Sequence, residues 1–199
     1  MDRIKGKDLS ISSSVFFLCD IQERFREPIK TFPQLLDIAN RLVSASKILD
    51  IPLIVTEQYP KGLGKTVSEL NVDHAVIKVE KTLFSMVVPE VANVLPKLNR
   101  VPLHAVLFGL ETHVCVQQTA LDLLALGHEV FVVADGCVSR SPIDRAYALE
   151  RLRQAGCIVT TCESLLLQLV RGKDHPHFKA IQEIIKPLPA QAESLMNKL

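Results

Sequence analysis

At 199 residues, with 48% hydrophobic and 23% charged content, the chain is expected to fold as one globular domain, residues 1–199, whose core needs no disulfide or metal. A formal net charge of +1 and the lack of a basic patch interleaved with aromatics argue against nucleic acid as a partner. No apolar run approaches the roughly 20 residues of a membrane span, and residues 1–14 lack the apolar core of a secretory signal. We therefore expect a cytoplasmic protein with neither a nucleic-acid nor a membrane partner.

The five cysteines are odd in number, irregularly spaced and without a C-x-x-C pair. This pattern is typical of free thiols in a reducing compartment rather than of a disulfide framework. Cys19, Cys157 and Cys162 lie in or beside predicted strands and are expected to be small buried hydrophobes. Cys137 falls in a predicted loop, and its role stays open.

Strand-like and helix-like segments alternate along most of the chain. Short apolar runs predict six strands, at residues 15–19, 52–55, 75–79, 105–108, 129–134 and 158–161. Apolar residues at helical spacing predict helices at residues 32–49, 89–98, 112–126, 142–155, 164–170 and 178–185. Strict alternation predicts a three-layer α/β fold, in which a parallel sheet with right-handed crossovers carries helices on both faces.

Capping and helix-breaking residues mark several of these helix ends. Thr31 is a possible N-cap, and Ser141 is expected to cap the helix that follows it. Pro96 must bend or end its helix, whereas Gly127 and Gly156 are expected to stop theirs.

Two connecting segments are distinctive. Residues 57–65 are rich in turn formers and predict a loop long enough to reach over a site. The fold core is expected at about residues 14–170, followed by a C-terminal helix and tail at 171–199, where His175 and His177 begin the helix rather than bind metal. The tail, 187–199, is expected to be flexible alone and to pack against a neighbouring subunit, which predicts a homo-oligomer.

The stretch Gly-Leu-Glu-Thr-His-Val-Cys-Val, residues 109–116, follows a predicted strand and opens an amphipathic helix. We interpret Gly109 as a turn and Thr112 as the N-cap, which places Cys115 at the third helical position. Unpaired backbone N–H groups and the positive end of the helix dipole favour an anionic sulfur there. A nucleophilic thiolate is therefore predicted at this turn.

Three reactive residue types follow three different strands. Asp20 comes after the first strand, Lys81 after the third and Cys115 after the fourth. Because parallel strands end at one edge of the sheet, where ligands bind, these side chains are expected to converge. A carboxylate, an ammonium and a thiol in contact would form a nucleophilic site.

Three motifs occur in order: Asp-x-Gln-x-x-Phe from residue 20, Lys-x-x-x-Ser from residue 81, and Gly-x-x-Thr-x-x-Cys-Val-x-x-Thr-Ala from residue 109. Together they resemble the isochorismatase-like cysteine hydrolases, and the resemblance covers about residues 14–170. Residues 56–64 and 84–86 look most like the eukaryotic isochorismatase domain-containing proteins, nearest to type 2.

The resemblance implies a Rossmann-like fold with sheet order 3-2-1-4-5-6 and a catalytic triad of Asp20, Lys81 and Cys115. It also implies a non-proline cis peptide bond between Leu110 and Glu111, beside backbone N–H groups that bind an oxyanion. The implied reaction is acyl transfer to Cys115, with Asp20 moving the proton and Lys81 stabilising the ionised pair.

Departures from the family pattern narrow this expectation. Members that hydrolyse isochorismate itself lack the cysteine, so Cys115 places the chain with the amidase-like members. The Asp-x-His metal motif of nicotinamidases is replaced by Glu57-Gln58-Tyr59, so we expect neither a metal nor any other cofactor. Glu111 stands where a small residue is usual, and its carboxylate would either repel anionic substrates or form a salt bridge.

Five residues near the motifs are candidates for contact with a small-molecule substrate, at even odds with ordinary packing or exposure: Gln22, Phe25, Gln58, Phe84 and His113. Asp135, which follows the fifth strand, is at the same edge but is more often structural there. Two functions remain open at this stage. One is a small-molecule hydrolase of the amide type; the other is a non-catalytic relative that binds a metabolite or a protein.

Overall fold

A computed structural model of the chain describes residues 8–100 and 102–187. Their centre is one sheet of six parallel strands in the order β3-β2-β1-β4-β5-β6, as the family resemblance implied. The strands are β1 (Ser14–Cys19), β2 (Leu53–Gln58), β3 (Ile77–Lys81), β4 (His104–Leu110), β5 (Glu129–Val138) and β6 (Ile158–Thr160). The three-layer architecture predicted from the alternation of strands and helices is confirmed.

Helices cover both faces of this sheet and bury two separate hydrophobic cores. One core lies beneath α1 (Phe32–Ile48), α6 (Cys162–Val170) and α7 (Phe178–Ile185). The other lies beneath α3 (Pro89–Val94), α4 (Gln117–Ala125) and α5 (Pro142–Gln154). Two covered faces explain why the strands read as near-continuous apolar runs in the sequence.

The central position of β1 in the sheet explains its apolar sequence and the position of the residue that follows it. It pairs with β2 on one side and β4 on the other, and all of its residues are buried. Because side chains alternate along a strand, Phe16 and Leu18 enter one core while Phe17 and Cys19 enter the other. Asp20, the next residue, is thereby held at the carboxyl edge of the sheet.

Two expectations near the end of β4 are wrong. Gly109 is not a turn residue, since it lies inside β4 with a φ of 130°. A Cβ there would come 2.0 Å from the Cys19 carbonyl oxygen, so only glycine lets β1 and β4 approach this closely. The predicted loop after Ala134 is also strand, because β5 continues to Val138 through an irregular pairing that brings Cys137 opposite Gly109.

The turn-rich segment at residues 57–65 is more ordered than predicted. β2 extends through Gln58, and residues Pro60–Leu63 form the short helix α2. β3 likewise includes Lys81 as its last residue. β2 is longer than its apolar run because backbone pairing continues where the side chains become polar, whereas β3 has the predicted number of residues but begins and ends two residues later.

Most of the predicted helix ends are confirmed. Ser141 accepts a hydrogen bond from the Asp144 N–H at the start of α5, and α3 passes into a 3₁₀ turn that contains Pro96. Gly127 and Gly156 have positive φ just beyond their helices. Thr31 occupies the N-cap position of α1, but its side chain makes no capping bond.

Within the described ranges, no helix is both long enough and apolar enough to cross a membrane. The tail predicted to pack against another subunit falls mainly at residues 188–199, which lie outside the part that the structure describes. The expectation of a homo-oligomer therefore stays a prediction.

Candidate active site

Three strands bring the predicted acid, cation and thiol together at the carboxyl edge. Asp20 follows β1 with a φ of 53°, Lys81 ends β3, and Cys115 lies in the turn after β4. One ligand atom each from Cys19, Asp20 and Cys115 lies within 4.8 Å of the others. The convergence predicted from strand order is therefore present.

Asp20 and Lys81 form a fully buried ion pair. The Lys81 Nζ lies 2.7 Å from the Asp20 Oδ2, and the two side chains are 0% and 1% exposed. The other carboxylate oxygen, Oδ1, accepts a hydrogen bond of 2.7 Å from the Thr56 hydroxyl on β2. Burying two charges is costly unless each is paired and hydrogen-bonded, and here both conditions are met.

The Lys81 ammonium makes three further hydrogen bonds. It donates to the Gln58 Oε1 at 2.7 Å, the Phe84 carbonyl at 2.9 Å and the Leu83 carbonyl at 3.1 Å. Burial alone lowers the pKa of Lys81, but its interactions with Cys19, Asp20 and Cys115 outweigh burial, and the net shift is upward. Lys81 therefore remains a fixed cation beside the carboxylate.

The turn that carries Cys115 is π-helical rather than α-helical. It spans Thr112–Val116, and the Val116 N–H donates across five residues to the Glu111 carbonyl at 3.3 Å. Glu111, not Thr112, occupies the N-cap position, so Cys115 is the fourth residue of the turn instead of the third. The predicted cap is wrong because the wider turn begins one residue earlier, which leaves the Thr112 hydroxyl without a partner among the described residues.

The turn is held from behind by α4, which continues it. The Thr119 hydroxyl donates to the Cys115 carbonyl at 2.6 Å and accepts a 2.9 Å bond from the Met86 N–H. Single π-helical turns within helices occur often at functional sites. Here the wide turn presents Cys115 toward Asp20 while its backbone stays anchored.

Cys115 opens into a cavity of about 310 Å³. The side chain is 6% exposed, whereas Asp20 behind it is 1% exposed. The cavity is lined by Arg24, Phe25, Pro28, Gln58, Leu63, Phe84, Glu111, Val114, Cys115 and Arg140. This volume lies at the small end of the range for ligand sites, and a small molecule that fills it would meet the sulfur before the carboxylate.

The structure separates the predicted substrate contacts into two groups. Phe25, Gln58 and Phe84 line the cavity. Gln22 does not, because its side chain bonds the Gln58 carbonyl at 3.0 Å and the Gly64 carbonyl at 2.6 Å and so holds the chain around α2. His113 is also outside the lining, since its Nδ1 lies 3.0 Å from the Ser139 hydroxyl.

Leu110 is the last residue of β4 and Glu111 follows it, and of these two residues only Glu111 lines the cavity. The Glu111 carboxylate pairs with Arg140, accepting from its backbone N–H at 2.9 Å and from its Nε at 3.1 Å. Of the two expectations for Glu111, the salt bridge is the one observed. The Leu110 carbonyl accepts from the Cys19 thiol at 3.3 Å, and the cis peptide bond expected between Leu110 and Glu111 stays a prediction.

Four polar or thiol-bearing residues of the site were not anticipated from the sequence. Thr56 and Cys19 contact the Asp20 carboxylate, and Arg24 and Arg140 line the cavity. The sequence contained a signal that could have identified three of these residues as part of the site. Thr56, Cys19 and Arg140 all lie at or just beyond the carboxyl ends of strands. Arg24 lies in a short 3₁₀ turn, and no strand pattern marks it.

Metal-binding potential in the described residues is confined to Cys19, Asp20 and Cys115. The Lys81 ammonium already occupies one oxygen of this carboxylate and would repel a second cation. Glu57, where nicotinamidases have their metal motif, instead bonds the Thr66 N–H and pairs with Lys78, both through Oε1. The donor set is therefore a poor fit for a resident metal ion.

Other candidate residues have structural positions. The Asp135 carboxylate accepts from the Cys162 N–H at 2.9 Å. The His177 N–H donates to the His175 Nδ1 at 3.1 Å, and His177 precedes α7 as predicted. Cys19, Cys157 and Cys162 are buried free thiols as expected, and so is Cys137, whose role the sequence left open.

Comparisons with known proteins agree with this architecture. A family profile described as Isochorismatase domain matches residues 14–164. The chain is 53% identical over 199 residues to isochorismatase domain-containing protein 1 of Danio rerio, covering 100% of this chain and 70% of that protein. It is 51% identical over 181 residues to isochorismatase domain-containing protein 2 of Xenopus laevis, covering 89% and 86%.

A solved structure is also similar. The structure titled MAR1 ribonuclease from Caenorhabditis elegans matches with a TM-score of 0.85 and 44% identity, over 92% of this chain and 94% of that one. Types 1 and 2 of the isochorismatase domain-containing proteins are about equally similar to the chain. On its sequence, its sheet order and its family profile, the chain belongs to the isochorismatase-like hydrolase family.

Proposed function

We propose that this protein hydrolyses a carbon–nitrogen bond of a small amide-type molecule, using Cys115 as the nucleophile. The observation that carries the proposal is a thiol that lines a cavity of about 310 Å³, with a buried carboxylate within 4.8 Å of it. The cysteine faces the cavity and the carboxylate lies behind it, which is the order that nucleophile and base need.

Asp20 is the proton carrier of this mechanism. It takes the Cys115 thiol proton as the sulfur attacks the carbonyl carbon, and it returns that proton to the leaving nitrogen when the tetrahedral intermediate collapses. Lys81 and Thr56 each hold one oxygen of this carboxylate, which fixes its position through both transfers. Water then attacks the thioester and Asp20 accepts its proton; the C–S bond breaks to release the acid, and Asp20 returns the proton to the Cys115 sulfur.

Lys81 has an electrostatic role in this scheme. Its ammonium stabilises the negative charge that passes between the carboxylate and the sulfur. Backbone N–H groups of the turn around Glu111 and Cys115 would stabilise the oxyanion. Most of the rate would come from placement, because lowering a thiol pKa raises its ionised fraction but lowers its intrinsic nucleophilicity.

The cavity favours small, partly polar substrates. Phe25 and Phe84 supply aromatic surface, while Gln58, Arg24 and the paired Glu111–Arg140 supply polar groups. The description of the Caenorhabditis elegans neighbour as a ribonuclease is not transferred here, because the net charge of +1 provides little general attraction for a phosphate backbone. Amides, ureides and carbamates are the classes to screen first.

The test combines turnover with trapping of the intermediate. Purified protein is incubated with each substrate class, release of amine or ammonia is followed, and acid-quenched samples are analysed by mass spectrometry for an acyl group on Cys115. Cys115→Ala should abolish both signals. Cys157→Ser is the matched control, because Cys157 is also a buried cysteine but lies beside the start of β6, at the opposite edge of the sheet.

Two outcomes would contradict the proposal. Hydrolysis that survives in Cys115→Ala would remove the nucleophile assignment. Absence of turnover, together with iodoacetamide labelling of Cys115 no faster than that of Cys157, would favour the non-catalytic alternative, a module that binds a metabolite or protein. Cleavage of RNA oligonucleotides by the wild type would support the ribonuclease description instead.

A further inference from the structure

A second thiol lies beside the first, outside the lining of the cavity. The Sγ atoms of Cys19 and Cys115 are within 4.8 Å of each other and of the Asp20 carboxylate. Cys19 ends β1 and is 0% exposed, whereas Cys115 is 6% exposed and faces the cavity. The proposed hydrolysis needs only Cys115, so the mechanism leaves Cys19 without a chemical role.

Cys19 is held as a neutral thiol. It donates to the Leu110 carbonyl at 3.3 Å, and its sulfur lies 3.6 Å from the Asp20 Oδ2. Burial raises the pKa of this thiol well above its ordinary value, and its hydrogen bond with Cys115 and the Asp20 charge raise it further. A reagent that enters the cavity therefore contacts Cys115 first, and the Cys19 thiol remains protonated.

We propose that Cys19 and Cys115 form an oxidisable dithiol, in which a hydroperoxide oxidises Cys115 and Cys19 then closes an intramolecular disulfide with it. The first sulfur is reached through the cavity and the second sulfur is shielded behind it. That division into a cavity-facing attacking thiol and an adjacent resolving thiol is typical of redox-active cysteine pairs.

The chemistry balances in two steps. Asp20 takes the proton of the Cys115 thiol, the thiolate attacks the distal oxygen of the hydroperoxide, and the O–O bond breaks. The departing oxygen takes this proton and leaves as water or an alcohol, and Cys115 becomes a sulfenic acid. Cys19 then passes its proton to Asp20, its sulfur attacks the Cys115 sulfur, and the S–O bond breaks. The departing hydroxide takes the proton from Asp20, so the net reaction consumes two thiols and one hydroperoxide and yields a disulfide and two hydroxyl-containing products.

The geometry requires a small closing motion. The two sulfurs must approach from within 4.8 Å to about 2.05 Å, the length of a disulfide bond. Cys19 is fixed in the central strand, whereas Cys115 lies on a single π-helical turn. We expect the turn to move, and the disulfide to protect Cys115 from irreversible oxidation to the sulfinic acid.

Peptide mapping of the oxidised full-length protein tests this proposal. The wild type is treated with one equivalent of hydrogen peroxide, alkylated without reduction and digested. The expected product is a cross-linked peptide pair joining Cys19 to Cys115, with the loss of two hydrogen atoms, which dithiothreitol reverses. The readout needs no substrate, so its failure is distinct from failure of the proposed hydrolysis.

Variants distinguish resolution by Cys19 from simple oxidation. In Cys19→Ser and Cys19→Ala, dimedone trapping of sulfenic acid on Cys115 should rise at least about fivefold, followed by sulfinic acid. Cys157→Ser should give the wild-type yield of the cross-link. Sulfinic acid on wild-type Cys115 without a cross-link, or no oxidation of Cys115 at all, would overturn the proposal, and neither result depends on how the Cys19 variants fold.

Discussion

Two clusters at the same edge of the sheet contain the same three kinds of residue, a carboxylate, a cation and a buried cysteine. The cavity cluster consists of Asp20, Lys81 and Cys115, and the β5 cluster consists of Asp135, Arg145 and Cys137. The two lie at one level, because Cys19 pairs with Gly109 and Gly109 pairs with Cys137. Composition and position along the strands therefore do not distinguish them.

The two clusters differ in their hydrogen-bond partners and in whether their cysteine faces a cavity. In the β5 cluster the Asp135 carboxylate accepts from the Cys162 N–H, and Arg145 donates to the carbonyls of Ala134 and Cys137. The Cys137 thiol is 0% exposed, and burial raises its pKa to about 12. These groups bond mainly to backbone, while the cavity cluster bonds within itself and presents its sulfur to a cavity. Access and mutual contact are what make a reactive site.

Removing each cysteine should give the largest contrast between the clusters. Cys115→Ala is expected to lower amide hydrolysis at least about 10³-fold, because the nucleophile is lost, with the free energy of unfolding changed by no more than about 1 kcal/mol. Cys137→Ala should leave the rate within about twofold and lower the free energy of unfolding by about 1–2 kcal/mol. Initial rates and urea unfolding measure both; equal rate losses would refute the distinction.

Removing each cation should produce the next largest difference. Lys81→Met leaves the Asp20 carboxylate buried without its cation and is expected to lower the free energy of unfolding by about 3–5 kcal/mol. Arg145→Met removes bonds to backbone carbonyls and should cost about 1–3 kcal/mol. Urea unfolding compares them. Adding Asp20→Asn to Lys81→Met should restore part of the loss, and no recovery would count against the ion-pair explanation.

The upward shift in the pKa of Lys81 predicts a smaller, pH-dependent effect. The folded protein keeps this proton above the ordinary pKa of 10.5, where the unfolded chain has lost it. The stabilisation is therefore complete below that pH and is lost as the pH rises through the folded-state value. Urea unfolding from about pH 8 to about pH 11.5 should show a steeper alkaline loss for wild type than for Lys81→Met. The same pH dependence of the free energy of unfolding in both proteins would contradict the upward shift in the pKa of Lys81.

The smallest expected effects come from single hydroxyl groups beside each cluster. Thr56→Val removes the bond to the Asp20 Oδ1 and should lower hydrolysis about tenfold, through a misplaced carboxylate, with an unfolding cost of about 1 kcal/mol. Ser141→Ala removes the N-cap of α5 and should cost about 1 kcal/mol with no change in rate. A rate loss in Ser141→Ala as large as that in Thr56→Val would show that general loosening, not carboxylate placement, explains both.

The sequence predicted the fold well for strands that are covered on both faces and for amphipathic helices. The apolar runs of β1 and β4 and the helical spacing of α1 and α7 located these elements within a few residues, because covered strands and amphipathic helices have distinct periodicities. The ends of β2, β3 and β5 were missed because their pairing continues through polar residues. The prediction of a turn at Gly109 was also wrong. Glycine is favoured both in turns and where two strands approach closely, and here it is the close approach of β1 that requires it.

By itself, the sequence determined that an acid, a cation and a thiol would meet, because strand order places Asp20, Lys81 and Cys115 at one edge. Only the tertiary structure decided which bonds they make. It gave Gln22 and His113 structural partners, paired Glu111 with Arg140, and placed Cys19 against the Asp20 carboxylate. The physical reason is that residue types and strand order specify the edge, whereas access to a cavity and the choice of hydrogen-bond partners depend on packing between distant segments.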